Sequence, residues 1–386
     1  MTAPSAEELR PEFLLDPEVA FLNHGSFGAC PRPVFERYQA WQRELEHEPV
    51  DFLARRLPGL LDAARSALAA YVGCAAQDLA FVQNATTGVN LAARSLALAP
   101  DDEVLSTDLE YGACDLAWEW VCRRAGARYV RAPIPLPLTD PNEVVETLFA
   151  LASERTRVVY VSHVTSTTGL VLPVEAIVAL ARALDLVTIV DGAHAPAQVP
   201  VDLATIGADF YSGNAHKWLS APKGASFLHV QPEHQDRIDA AIVSWGYTEG
   251  SSFSERIEKQ GTRDPAAWLT VPAAIRFQAE RDWDAVRDRS RRLTRSARRD
   301  LCGLLGAEPL APDSMVAQMA AIRLPRPAPD LSERLLTRHR VEIPVDAPEE
   351  DVLRLSVAAY TTRDEIDRLL AALVGELDAE DRQQDE

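Results

Sequence analysis

Two short segments carry side chains able to do chemistry together. Asp191-Gly-Ala-His194 closes one β-branched run, and Asn214-Ala-His216-Lys217-Trp218 closes the next. A carboxylate set against a pyridine nitrogen keeps that nitrogen protonated, and a lysine amine nearby condenses with an aldehyde to a Schiff base. Together these are the demands of pyridoxal 5'-phosphate (PLP), which withdraws electrons from the Cα of an amino acid. Either residue alone is ordinary at a strand end; the pair, on consecutive strand ends, is the signal.

Two further segments suit the same chemistry. Asn84-Ala85-Thr86-Thr87-Gly88 follows the short apolar run 79–82 and opens an apolar helical pattern. Amide N–H groups at a helix start, with threonine hydroxyls beside them, form a cradle for a phosphate ester. The run Ser162-His163-Val-Thr165-Ser166-Thr167-Thr168-Gly169 leaves another strand with hydroxyls gathered in a turn.

These segments resemble the class V aminotransferase family of fold type I PLP enzymes, and the resemblance extends over nearly the whole chain. It implies that Lys217 of the His-Lys pair holds PLP, that Asp191 pairs with the pyridine nitrogen, and that His194 lies near the phenolic oxygen. It implies cofactor contacts from Ala85, Thr86, Ser166, Asn214 and His216, and a ring stacked by Tyr111 of Glu110-Tyr-Gly-Ala-Cys114. Gln260-Gly-Thr262-Arg263-Asp264 resembles a loop that crosses from a partner subunit, so Thr262 is expected at the phosphate of the other site in a homodimer. Arg354 opens a segment, Arg-Leu-Ser-x-x-x-Tyr360-Thr-Thr, resembling the one whose arginine grips the substrate carboxylate bidentately. Phe21-Leu-Asn23-His24-Gly-Ser-Phe-Gly28 is expected over the entrance, with Asn23 and His24 as substrate contacts. For His24, acid/base chemistry and helix capping are open as well.

The motifs Leu-Asn-x-Gly-Ser-Phe-Gly, Val-Asp-Gly-Ala-His-Ala-Pro and His-Lys-Trp-Leu-x-Ala-Pro are similar to those of the isopenicillin N epimerase branch, which implies epimerisation at the Cα of an amino-acid substrate, in secondary metabolism such as antibiotic biosynthesis. A second acid for that reaction is sought among Tyr111, Cys114 and His24. His24 and the Tyr-Gly-Ala-Cys stretch depart from the epimerase pattern. Carbon-sulfur β-lysis of a cysteine conjugate and decarboxylating oxidative deamination therefore stand as alternatives. The mobile cysteine loop of the desulfurases has no counterpart, prolines 325, 327 and 329 occupying part of its place. A cofactor-free scaffold conflicts with the intact set Asp191, His194, Lys217 and Arg354.

The elements that must position these residues are legible between about residues 60 and 230, where helical and strand patterns alternate. That alternation predicts an α/β fold with a large, doubly wound, mostly parallel sheet, with ligands outside the carboxyl ends of its strands. The expected organisation is an N-terminal covering segment (1–50), a PLP-binding domain (51–270), a smaller α+β domain (271–376) and a flexible acidic tail (377–386). Residues 271–305 read as one long connecting helix, its many arginines forming a solvated face.

Composition excludes other classes. The formal charge of −19 repels nucleic acid and anionic membrane, so neither is expected as a partner. There is no apolar run of membrane-spanning length and no basic-then-apolar leader, which predicts a cytoplasmic protein. Five scattered cysteines without a paired spacing predict reduced thiols, and no metal site is expected.

Overall fold

The computed structural model describes residues 3–328, 330–346 and 351–384; Pro329 of the proline-rich interval and the last two residues of the acidic tail lie outside them. Seven strands form the main sheet: β1 Leu79–Val82, β2 Glu103–Thr107, β3 Arg128–Ala132, β4 Thr156–Ser162, β5 Val187–Gly192, β6 Phe210–Asn214 and β7 Ser226–Val230. Their order is β1-β7-β6-β5-β4-β2-β3. From β6 through β3 every pair is parallel, while β7 runs antiparallel to both β6 and β1. The inner strands are buried nearly throughout, as strands covered on both faces by helices must be. The edge strand β3 instead carries Arg128 and Arg131, charges that discourage pairing with another sheet.

Because β4, β5 and β6 are parallel and in register, their carboxyl ends lie side by side. Ser162, Asp191 and Ser212 are cross-strand neighbours. Helix α1, Ala85–Ser95, starts beside them. It is capped by Asn84, whose side chain accepts the Thr87 amide N–H. Gly88 lets the helix approach β6, since a Cβ there would stand 2.1 Å from Ser212 Oγ. Helix α2, Gly112–Ala125, begins directly after Tyr111.

The expected single helix over 271–305 is instead two, α3 Val271–Ala279 and α4 Trp283–Leu305. The Arg281 amide bonds back three residues to Gln278, tightening the turn, and Asp282 then takes a left-handed conformation (φ 44°) that ends the run. Nor are the arginines of α4 simply a solvated face. Arg298 is buried and donates to the Ala311 carbonyl and the Asp313 carboxylate, Arg289 donates to the Ala359 carbonyl, and Arg291 to that of Gln198. These guanidiniums satisfy carbonyls of loops that sheet and helix ladders leave unpaired.

A second, antiparallel sheet of β8 Met319–Arg323, β9 Val345–Asp346 and β10 Val352–Ser356 has the order β9-β10-β8. It has its own apolar cluster, in which Ile322, Leu353 and Leu355 meet Leu301 of α4 and Leu369 and Leu373 of α5, Arg363–Gln384. Helix α5 extends into the acidic segment as far as Gln384. The N-terminal segment is stitched to this unit: Ala20–Phe21 pairs in parallel with Val341–Glu342, and the Ser356 amide donates to the Leu22 carbonyl. Residues 23–28 thereby lie between β10 and the ends of the main strands. Among the described residues, no helix is long and apolar enough to cross a membrane.

Candidate active site

A cavity of about 780 Å³ opens at the carboxyl ends of β4, β5 and β6. Asp191, His194, Asn214, His216, Lys217, Ser166 and Arg354 line it, together with Ala85, Thr86 and Tyr111. It thus gathers ten of the residues singled out in the sequence, drawn from both sheets.

Asp191 is buried at the cavity floor. One carboxylate oxygen accepts the Ala193 amide N–H at 2.8 Å; among the described residues the other meets only a weak donor, the Cys114 thiol, and a long contact from the Tyr160 hydroxyl, each at 3.5 Å. Burial raises its carboxyl above the ordinary value, opposed by the Ala193 N–H and the charge of Lys217. A buried carboxyl so weakly satisfied on one oxygen is suited to a cationic N–H donor.

Lys217 leaves the turn after β6 and places Nζ 3.0 Å from His194 Nε2. Burial pushes its amine down to about 8, with Asp191 acting in the opposite sense and Arg354 reinforcing the fall. The free-amine form that attacks a carbonyl is therefore accessible near neutrality. The fully buried ring of His194 is held well below the ordinary imidazole value by desolvation and then by Lys217, and so stays neutral.

The turn from β1 into α1 supplies the opposite wall. The Ala85 amide donates to Asn214 Oδ1 at 2.8 Å, the same oxygen that accepts Ser226 Oγ–H at 2.7 Å, so Asn214 ties the helix start to β6. His216 Nδ1 lies 3.2 Å from the Ala225 carbonyl, which only accepts, so this nitrogen carries the proton. Tyr111 and Phe27 are the two largely exposed aromatic side chains on the lining.

Arg354 points in from β10. One terminal nitrogen donates to the Ser166 carbonyl at 2.8 Å and the other to Ser26 Oγ at 2.8 Å. The contact of Ser166 within this chain is thus with the arginine, through its backbone and, at 3.5 Å, its hydroxyl.

Three residues fall elsewhere. His24 and Asn23, expected as substrate contacts, do not line the cavity. The buried His24 engages Tyr360 and the Lys217 carbonyl through its two ring nitrogens, and Asn23 lies behind Ser26, accepting its hydroxyl at 2.5 Å and donating to Glu342. Thr262 is exposed and lines a separate cavity of about 600 Å³ beside Trp245 and Trp268. Cys114 is also no proton donor to the cavity: it sits against Asp191, buried, with its thiol pushed far up by desolvation.

Sequence reasoning passed over Ser26, Lys223 and Glu110. Ser26 was visible within the Asn-His-Gly-Ser-Phe-Gly motif, but its link to Arg354 spans 328 residues. Lys223 lines the cavity and donates to the Gly28 carbonyl at 3.0 Å. Glu110 is buried, accepting hydroxyls of Thr107 and Ser162, its carboxyl pushed up to about 8 mainly by desolvation.

The chain belongs to the aminotransferase class-V family, whose model matches residues 30–369. It is 43% identical over 398 residues to the isopenicillin N epimerase of Streptomyces clavuligerus, covering 97% of this chain and all of that one. To the isopenicillin N epimerase of Amycolatopsis lactamdurans it is 41% identical, with 97% and 99% covered. A putative L-cysteine desulfhydrase of Oryza sativa is 34% identical over 71% of this chain and 60% of its own length. Among solved structures, the cysteine desulfurase CsdA of Escherichia coli superposes with a TM-score of 0.82 at 22% identity, covering 98% of this chain and all of that one. The architecture is that of the fold type I PLP enzymes, with a mixed seven-stranded main sheet. Family, fold and the weakly satisfied carboxyl facing a depressed lysine agree on one cofactor, pyridoxal 5'-phosphate.

Proposed function

We propose that this enzyme inverts the Cα of isopenicillin N, or of an amino acid with a similarly extended side chain, as a cytoplasmic homodimer in antibiotic-type secondary metabolism. The observation that supports it most is full-length similarity to two isopenicillin N epimerases, combined with a cavity that gathers a lysine, a buried acid and an arginine. When bound, PLP supplies the electron sink that lets the substrate Cα release its proton.

In this reading Lys217 holds the cofactor and then carries the Cα proton, its low amine value suiting it to both tasks. Asp191 sets the charge of the pyridine nitrogen. His194 orients Lys217 and would lie near the phenolic oxygen, Ala85 and Thr86 would hold the phosphate, and Asn214 and His216 would be further cofactor contacts. Arg354, held from both sides by Ser26 and Ser166, takes the α-carboxylate. Inversion needs a donor on the face away from Lys217. With Cys114 and His24 turned elsewhere, Tyr111 remains as that donor. The exposure of Thr262, away from its own cavity, supports its service at the partner's phosphate.

Carbon-sulfur lysis is the second reading, supported by the desulfhydrase relative. It expels a sulfur group from Cβ and requires no second acid. Chiral chromatography of isopenicillin N after incubation with PLP-loaded protein tests the first reading: a mixture of Cα epimers is expected. Unchanged substrate, with sulfide or thiol and pyruvate released from a cysteine derivative, would replace it with the second.

A further inference from the structure

His24 is buried between the two units of the chain. Nδ1 lies 2.8 Å from the Tyr360 hydroxyl and Nε2 lies 3.1 Å from the Lys217 carbonyl. A carbonyl only accepts, so Nε2 carries the hydrogen, and in the neutral ring Nδ1 accepts from the tyrosine. The carbonyl contact selects one tautomer of the neutral ring. Desolvation agrees, pushing the imidazole down to about 3.

The carbonyl of Lys217 also accepts the Ser220 amide at 3.0 Å, so its two acceptor positions are filled, one from its own turn and one from the N-terminal segment. Gly28 packs against the same backbone: a Cβ there would lie 2.1 Å from the His216 carbonyl oxygen and 2.9 Å from Lys217 Cα. Lys223 fastens that glycine through its carbonyl. Two residues from His24, Ser26 holds Arg354.

We propose that His24 is a positioning residue: it relays the place of Tyr360 in the C-terminal unit to the backbone of Lys217, so that residues 23–28 hold the cofactor lysine and the substrate arginine at a fixed separation. The lysine side chain must hold the cofactor and later carry a proton, and it can do both reproducibly only from a fixed base. The inference rests on the assignment of Lys217 as the cofactor lysine, but not on which reaction follows.

The test uses PLP-loaded enzyme and the variants His24→Phe, Tyr360→Phe and the double variant. Phenylalanine keeps the aromatic packing of His24, whose ring centroid lies 4.8 Å from that of Trp218. The double variant leaves no orphaned hydroxyl or imidazole, so it remains informative if a single variant folds poorly. The pH midpoint of the bound cofactor's visible band is expected to shift in each single variant. Turnover should fall roughly fivefold to tenfold, as for loss of one oriented hydrogen bond, with KM little changed. The double variant should match His24→Phe alone, because both substitutions cut one relay. Ser26→Ala, by contrast, should raise KM and leave the band unmoved. Additive losses in the double variant, or an unmoved midpoint in His24→Phe, would overturn the relay. Borohydride labelling of a lysine other than Lys217 in the wild-type enzyme would instead overturn the assignment beneath it.

Discussion

Lys217 Nζ lies 3.0 Å from Nε2 of His194, whose Nδ1 stands 3.4 Å from the Trp218 indole nitrogen. An indole N–H only donates, so even this long contact favours an Nδ1 that accepts and an Nε2 that carries the hydrogen. That N–H points at the lysine nitrogen, which can accept it only as a free amine. Geometry and desolvation thus favour the same protonation state.

The rate of PLP loading onto cofactor-free protein is accordingly expected to rise with pH through a midpoint near 8, not 10.5. Below the midpoint the ammonium form dominates and has no lone pair for the aldehyde; above it the amine is free. Stopped-flow absorbance at a series of pH values measures this. A rate still climbing at the ordinary lysine value would show that burial does not control the amine.

Asp191→Asn removes an anion that stabilises the Lys217 ammonium, so the loading midpoint should move to lower pH. Turnover should drop at least about a hundredfold, comparable with loss of a preorganised electrostatic partner. A variant of normal activity would separate Asp191 from the chemistry.

Arg354→Lys keeps the charge but not the planar fork that reaches both Ser26 and Ser166 while leaving room for a carboxylate. The expected loss is roughly tenfold to a hundredfold in kcat/KM, carried mainly by KM. Steady-state kinetics at saturating PLP decide it; an unchanged KM would place the α-carboxylate elsewhere.

Much of the site was legible because its residues fall at strand ends, where local patterning fixes both position and exposure. Asp191 lies at the carboxyl end of β5 and Lys217 in the turn just after β6, and Ala85 and Thr86 open a helix after β1. What stayed hidden depends on contacts between distant parts of the chain. Nothing local to Asn23 and His24 tells that Glu342, Tyr360 and the Lys217 carbonyl will occupy their polar atoms, so their motif read as substrate-facing. The division of 271–305 into two helices was equally hidden, because apolar periodicity barely registers one left-handed residue, Asp282.

Shared sites predict complementation. Chains carrying Lys217→Ala and chains carrying Thr262→Ala, mixed by unfolding and refolding, should recover activity through one site in each mixed dimer, built from an intact lysine and the partner's intact threonine. Activity of the mixture equal to the mean of the two separate variants would contradict a crossing loop.

Epimerisation requires proton removal and return at Cα with inversion. The most direct measurement is incubation of PLP-loaded enzyme with isopenicillin N in deuterated water, followed by mass spectrometry and chiral separation. One deuterium at Cα in the inverted product and none at Cβ is the expected result. Inverted product without deuterium, or cleavage to pyruvate and a thiol from an S-alkyl cysteine with isopenicillin N untouched, would contradict it.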